Sequence, residues 1–467
     1  MPTNRLRNAK GDDCDEHDSL PSAHGLVTPS QNTGMTNYRW AVVGLLFFAV
    51  TVNYIDRAVL GVLKPLLDQE LGWTQKDYGW MVTAFQASYA AGYLLAGRLF
   101  DRIGVRVGFL FAVTLWSLAA VAHAAARSVV SFSIARSFLG LAEGGCFPGA
   151  IKAITDWFPK EQRAFATGLF NAGSNVGAIT CPMVVPWLAA NWGWQGAFIA
   201  TGAVGFLWVV AWAWLYQSPE KHPRVSAAEL AYIRKDPVEP EVKIPWLELL
   251  RHRQVWAFMI GMMASAPVWW FYIFWTPDFL NKRFALNLTQ SSLPLMTIFF
   301  VSGFGGISGG WLSSALLRRG WSANAARKTA LLVCSLCVLP VFATPLMPTV
   351  WPAVALVTLA AAAHCGYAAN LYTLVSDTVP RQAVSSVVGI GGMAGSVAGM
   401  FFAQIVSRIL DFTHNNYLVP FALAATVYLL ALGLMHLLTP RLEPMSLPVS
   451  REAATPRIQA AREPTRR

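Results

Sequence analysis

Gly97-Arg-Leu-Phe-Asp101-Arg102-Ile-Gly104-Val-Arg106 sets four charges within ten residues. Apolar runs at 78–100 and 105–126 flank these charges. A helix of about 20 apolar residues spans the hydrocarbon core of a bilayer. A short charged loop between two such runs reads as a helical hairpin whose turn sits in water. The same alternation repeats outward in both directions. Further runs fall at 39–60, 129–151, 164–187, 195–216, 254–280, 290–314, 327–346, 351–376, 384–409 and 416–438.

Composition agrees. The 467 residues are 55% hydrophobic and 13% charged, with a mean hydropathy of +0.43. A soluble domain carries roughly 25% charged residues. The alternating strands of a membrane barrel are absent, so helices are the spanning elements. The expected fold is an all-α membrane protein of twelve transmembrane helices in two six-helix halves. The net charge of +11 would suit a nucleic-acid surface in a soluble chain. Here the charges lie between apolar runs, so no nucleic-acid partner is expected, and the positive-inside rule accounts for them.

One side of the layout holds Arg98, Arg102, Arg106, Lys152, Lys160, Arg163, Arg318, Arg319, Arg327, Lys328, Arg381 and both tails. The other holds Lys64, Lys76, Arg127, Lys282, Arg283 and Arg408. The richer side is expected to be cytoplasmic, with both termini there. The expected organisation is a disordered tail at 1–38, a six-helix bundle at 39–216, a central loop at 217–253, a second bundle at 254–438 and a tail at 439–467. The first tail carries Asp12, Asp13, Asp15, Glu16 and Asp18 and has no apolar core, so it does not read as a signal peptide. Five of the six cysteines, all but Cys14, lie in apolar runs. Cys334-x-x-Cys337 has no further ligand at metal spacing, so neither a disulfide framework, a metal nor a cofactor is expected.

The halves echo one another. Asp156-Trp-Phe-Pro159 precedes Ala172-Gly173-Ser174-x-x-Gly177, and Asp377-Thr-Val-Pro380 precedes Ala394-Gly395-Ser396-x-x-Gly399. Parallel repeats of this kind build the two halves of many transporters around a central path.

Four ionisable residues fall inside apolar runs: Asp56 and Arg57 in the first, Arg136 and Glu143 in the fourth. Such charges cost several kcal/mol unless paired or hydrated, and so mark function. Arg136 and Glu143 return to nearly the same helix face, about 10 Å apart along the axis. Asp56 and Arg57 point about 100° apart and cannot neutralise each other. Salt bridges of Asp56 with Arg136 and of Arg57 with Glu143 are one reading. The functional reading uses the chemistry of each group. A guanidinium grips a carboxylate bidentately and stays charged. Desolvation disfavours an ionised carboxyl, which lets it exchange protons. Two of each suit an anion-plus-proton site.

The loop at Gly97–Arg106 resembles the signature of the major facilitator superfamily, and the likeness extends over almost the whole chain. Gly97, Asp101, Arg102, Gly104 and Arg106 would form its gating loop. Asp101 is expected to end one helix. A weaker counterpart, Gly310-Trp-Leu-x5-Arg318-Arg319-Gly320, lacks the acid. Asn53-Tyr54-Ile-Asp56-Arg57, Arg136-x-Phe138-Leu-Gly140-x-Ala142-Glu143-x3-Phe147-Pro148-Gly149 and Trp157-Phe158-Pro159-x3-Arg163-Ala164 resemble the anion:cation symporter branch. The resemblance implies that Arg57 and Arg136 bind a substrate carboxylate and that Asp56 and Glu143 carry protons. Asn171-Ala-Gly-Ser-Asn175-Val-Gly177, Pro267-Val-Trp269-Trp270-Phe-Tyr272 and Ser385-Ser-Val-Val-Gly-Ile-Gly-Gly-Met393 are similar to bacterial hexuronate transporters, carriers of glucuronate and galacturonate. Relatives often carry an acid before the proline of the seventh span, where this chain has Ala266.

A sugar acid also needs hydroxyl partners and a flat apolar wall. Candidates in the first half are Tyr54, Tyr89, Ser174 and Asn175. Those in the second are Trp270, Tyr272, Asn370 and Thr373, with His364 a weaker one. His123 is expected to face water near a helix end. The expected activity is proton-coupled uptake of a hexuronate by alternating access, carried by a monomer in a bacterial inner membrane. The partners are a small organic anion, protons and the lipid bilayer. Rival readings are a carrier of galactonate, glucarate, tartrate or an aromatic acid, an uncoupled facilitator, and a non-transporting membrane sensor. No nucleophile–base set suggests an enzyme.

Overall fold

A computed structural model describes residues 35–236 and 245–445 of the chain. The acidic cluster near the start, the Pro237–Pro240 stretch and the end of the C-terminal tail lie outside the described residues. So do the surroundings of Gly97 and the side chains of Arg98, Asp101, Lys160 and Arg381.

Among the described residues all regular structure is helical. The first set of long helices is α1 (Tyr38–Leu71), α2 (Gln75–Ala122), α3 (Val129–Glu143), α4 (Cys146–Trp157) and α5 (Lys160–Leu215). Short helices α6 (Ala227–Ile233) and α7 (Trp246–Leu249) follow. The second set is α8 (Arg253–Phe284), α9 (Leu288–Arg318), α10 (Ala323–Val338), α11 (Val350–Thr378), α12 (Arg381–Phe412) and α13 (Leu418–Leu438). Nine helices among the described residues are long and apolar enough to cross a membrane by length and composition. Leu207, Ile307, Phe401 and Leu437 stand exposed, as they would against lipid rather than water.

Two of the long elements are each a pair of helices. Gly104 at φ 77° breaks α2, and Gly193 at φ 69° breaks α5. Only a residue without Cβ takes such angles cheaply, so the chain turns there. The helix therefore runs through Asp101 and ends at Gly104, three residues beyond the expected stop. The fourth apolar run is likewise not one helix, because Gly144 and Gly145 separate α3 from α4. The repeat has a local cause: Pro159 and Pro380 are the N-caps of α5 and α12, in extended conformations with ψ of 155° and 140°. The α1–α2 turn is fixed by Gly72 at φ 68° and by a capping box, in which Asp77 N donates to Thr74 Oγ1 and Thr74 N to the Asp77 carboxylate.

Within the first set α1 packs along α5, and α2 along α3. Within the second, α9 packs on α11, and α8 on α12 and α13. The sets meet where α2 lies on α12, α5 on α9 and α1 on α8. Among the described residues, the hydrogen bonds and ion pairs joining the sets run from Lys64, Gln75, Tyr78 and Thr83 to Phe274, Asp278, Met400, Gln404 and Asn415. All fall towards one end of the bundle, where α1, α8 and α12 finish.

The connection after α5 is not a free loop over its described part. Glu229 of α6 is fully buried and caps the start of α1. It accepts from Tyr38 N at 3.0 Å, Arg39 N at 3.1 Å and Thr36 Oγ1 at 2.6 Å, and pairs with Arg39 Nη1 at 3.0 Å. Its charge sits where the helix dipole favours an anion. Glu229→Ala leaves Arg39 buried without its acid. A destabilisation of about 3–5 kcal/mol is expected, read as a lower melting temperature of the purified protein.

His123 does not face water. It is fully buried, stacked on Phe198 with ring centroids 4.9 Å apart, and Nδ1 lies 2.7 Å from Ala119 O. The short helical turn after α2 folds it under α5 instead of exposing it.

Candidate functional site

Two helices of the first set, α1 and α3, bring the four charges together, and each charge is at most 2% exposed. Arg57 Nε lies 2.9 Å from Glu143 Oε2, joining α1 to α3. Arg57 Nη2 donates to Asn53 Oδ1 at 2.9 Å, one turn back on its own face. Arg136 Nη2 donates to the carbonyl of Arg57 at 3.1 Å. Of the two ion pairs considered from sequence, Arg57–Glu143 forms. Asp56 and Arg136 make no ion pair among the described residues: one Arg136 nitrogen bonds the Arg57 carbonyl, and Asp56 lies about 100° round the helix from Arg57.

This leaves specific vacancies in hydrogen bonding. Arg136 Nε and Nη1, both oxygens of Asp56, and Glu143 Oε1 are buried and make no well-formed hydrogen bond among the described residues, the Thr201 hydroxyl lying beside Asp56. Buried polar atoms are almost always bonded, so such a concentration calls for an explanation. An anion would satisfy the two guanidinium nitrogens, and a proton would suit either carboxyl. The four formal charges sum to zero, so one added anion favours one added proton.

Aromatic rings wall the site. The Arg57 guanidinium carbon lies 4.7 Å from the Tyr54 ring centre, 4.8 Å from that of Tyr89 and 4.8 Å from that of Trp270. Phe85 lies against both arginines, at 5.5 Å from Arg57 and 5.2 Å from Arg136. Phe274 stands 5.7 Å from Arg136. Trp270 and Phe274 come from α8, so the cluster reaches across the two sets.

Other expected contacts are not drawn in. Tyr272 is two residues from Trp270 and points to the opposite side of α8. It is fully buried against Phe271, with its hydroxyl unpartnered among the described residues. Asn370 ties α11 to α9 through Gly309 O at 2.9 Å and also bonds Gly366 O. Thr373 bonds Ala369 O at 2.7 Å on its own helix, and Ser174 bonds Asn171 O at 2.7 Å. Asn175 faces Gly303 of α9 at the seam between the sets. His364 stacks on Trp269 and bonds the Tyr428 hydroxyl at 2.7 Å. In the charged loop, Arg106 anchors the end of α5: Nη2 donates to Ala213 O at 2.6 Å, and Trp212 donates back to Arg106 O at 3.1 Å. Arg102 is exposed.

Asn53, Phe85 and Phe274 join the cluster without having been singled out from sequence. Asn53 was legible as the residue one turn before Arg57. Phe85 shares a face with Tyr89, four residues on, and that stripe continues to Tyr93 with ring centroids 6.1 Å apart.

Residues 46–403 match the model of the Major Facilitator Superfamily. The chain is 28% identical over 380 residues to the hexuronate transporter of Escherichia coli (strain K12), covering 80% of this chain and 88% of that protein. It is 30% identical over 391 residues to the D-galactonate transporter of Escherichia coli O6:H1, covering 79% and 89%. Its fold superimposes on a D-xylose-proton symporter with a TM-score of 0.70 at 14% identity, over 88% of this chain and 100% of that one. A bacterial homologue of the human lysosomal transporter Spinster, inward-facing and occupied, gives a TM-score of 0.69 at 20% identity, over 87% and 98%. The chain thus belongs to the major facilitator superfamily, in its anion:cation symporter branch, and is a membrane transporter rather than an enzyme.

Proposed function

We propose that the protein imports a sugar acid together with protons, by alternating access, across a bacterial inner membrane. The preferred substrate is a hexuronate, glucuronate or galacturonate. In this reading the chain crosses the membrane twelve times as a monomer, with both termini in the cytoplasm. The six-helix bundles at 39–216 and 254–438 rock about the charged cluster. Arg136 and Arg57 hold the carboxylate, Tyr54, Tyr89 and Trp270 wall the sugar, and Asp56 and Glu143 exchange protons.

The observation that carries this reading is the pairing of opposite deficits. Arg136 has two buried nitrogens without acceptors, and Asp56 has two buried oxygens that no cation holds, with the Thr201 hydroxyl beside them. They belong to separate, unpaired side chains, so an anion and a proton can enter independently yet favour each other's binding. The aromatic wall favours a ring or chain with apolar faces over a small inorganic anion. The ties between the helix sets, gathered at the end where α1 and α8 finish, suit a carrier open towards the cytoplasm.

A galactonate carrier is the second reading, supported by the 30% identity to the D-galactonate transporter. Counterflow into proteoliposomes separates the two. Vesicles loaded with unlabelled glucuronate or galacturonate are expected to accumulate the labelled hexuronate transiently. Exchange with galactonate but with neither hexuronate would overturn the hexuronate assignment and keep the sugar-acid class.

A further inference from the structure

A second group of buried charges lies away from the Arg57 cluster, at the end where α1 and α8 finish. Lys64 and Asp278 are both 0% exposed. Lys64 Nζ lies 2.9 Å from Asp278 Oδ1 across the seam, and 2.5 Å from Asp68 Oδ2 one turn along its own helix. The other Asp278 oxygen accepts from Gln75 Nε2 at 2.7 Å and from the Tyr417 hydroxyl. Gln75 Nε2 also donates to Asn415 Oδ1 at 2.8 Å. The Tyr78 hydroxyl bonds Phe274 O at 2.9 Å one turn deeper. A single carboxylate on α8 therefore gathers groups from α1, α2 and the start of α13.

Stability alone does not account for this group. The attraction within a buried ion pair is largely offset by desolvation of both charges. The distribution of partners is more telling. Lys64 has one acid in its own set, Asp68, and one in the other, Asp278. Asp278 likewise has one donor in its own set, Tyr417, and two in the other, Lys64 and Gln75. If the sets part here, each charge loses its cross-seam partner and keeps one at home. Neither is left bare in the open state, which is what a contact that breaks and re-forms requires.

We propose that Lys64 and Asp278 form a latch that holds this end shut and releases each time it opens. Lys64 and Asp278 set the balance between two states of the carrier and do not touch substrate. The proposal rests on the alternating-access reading above.

The test measures geometry and needs no substrate. Paramagnetic labels on cysteines replacing Gln69 and Asn416, both exposed at this end, report the distance across the seam. For labelling, the six native cysteines are first replaced, and the protein is placed in lipid nanodiscs. A predominantly short distance is expected for the parent. Asp278→Asn is expected to enlarge the long-distance population roughly 5-fold or more. Gln75→Ala, which removes the cross-seam hydrogen bonds to the same carboxylate and to Asn415, is expected to shift it the same way by less. Distributions identical to the parent in monodisperse samples of both variants would overturn the latch. If Asp278→Asn does not yield monodisperse protein, Gln75→Ala decides alone, and a distribution in it identical to the parent overturns the proposal. A wrong substrate or coupling ion would leave these distances unaffected, so the latch and the transport reading can fail separately.

Discussion

Arg136→Ala is expected to abolish transport, lowering the initial rate of sugar-acid uptake by about 100-fold or more, with little loss of folded protein. Two charge-assisted hydrogen bonds to a carboxylate contribute about 1.5–3 kcal/mol each, enough for that loss. The protein survives because Arg136 has no acid partner to strand. Its one hydrogen bond goes to the Arg57 carbonyl at 3.1 Å, and removing a poorly solvated cation relieves a desolvation cost. Arg136→Lys is expected to fail as well, because an ammonium is a point charge without the planar fork. Arg57→Ala should behave differently. It strands Glu143, which is 0% exposed, and breaking a buried pair costs about 3–5 kcal/mol. Lower yield and melting temperature should accompany its loss of transport. Uptake by each variant, measured beside the amount of monodisperse protein, checks the contrast. An Arg136→Ala protein that transports normally would remove Arg136 from the site.

Asp56→Asn is expected to separate exchange from accumulation. Both carboxylate oxygens of Asp56 are buried and no cation among the described residues pairs with them, so the amide strands none and resembles a carboxyl that is always protonated. Such a carrier keeps counterflow, which needs no net proton movement, and loses uptake driven by a pH gradient. Glu143→Gln should uncouple too, with some loss of stability because the Arg57 ion pair becomes a neutral hydrogen bond. In the proposed mechanism both carboxyls exchange protons, so the variants can share the defect unequally. Full proton-driven accumulation in both variants would contradict the assignment of either acid.

The charged cluster was legible because its members interrupt apolar runs, where a charge has no bland explanation. Their seven-residue spacing on α3 and their adjacency on α1 already showed that Asp56 and Arg57 face different neighbours. Which ion pair forms was not legible, since it depends on the rotation of α1 against α3. Lys64 shows the limit more sharply. The first apolar run was bounded at 60, which left Lys64 among the loop charges. In the structure α1 continues to Leu71, and Asp278, distant in sequence, makes burial of the lysine tolerable. No local pattern encodes that partner. Trp270 and Tyr272 illustrate register: α8 is apolar on nearly every face, so hydrophobic periodicity does not say which aromatic turns inward. Gly104 overruled Asp101 as the helix end because backbone conformation, not charge, stops the helix.

The most direct measurement of the central claim is accumulation of labelled glucuronate and galacturonate by proteoliposomes under an imposed pH gradient, acidic outside. Uptake above the equilibrium level is predicted for the wild-type protein, abolished by a protonophore and absent from Arg136→Ala. No accumulation of either hexuronate, or accumulation that persists when the pH and electrical gradients are collapsed, would contradict proton-coupled hexuronate transport through this site.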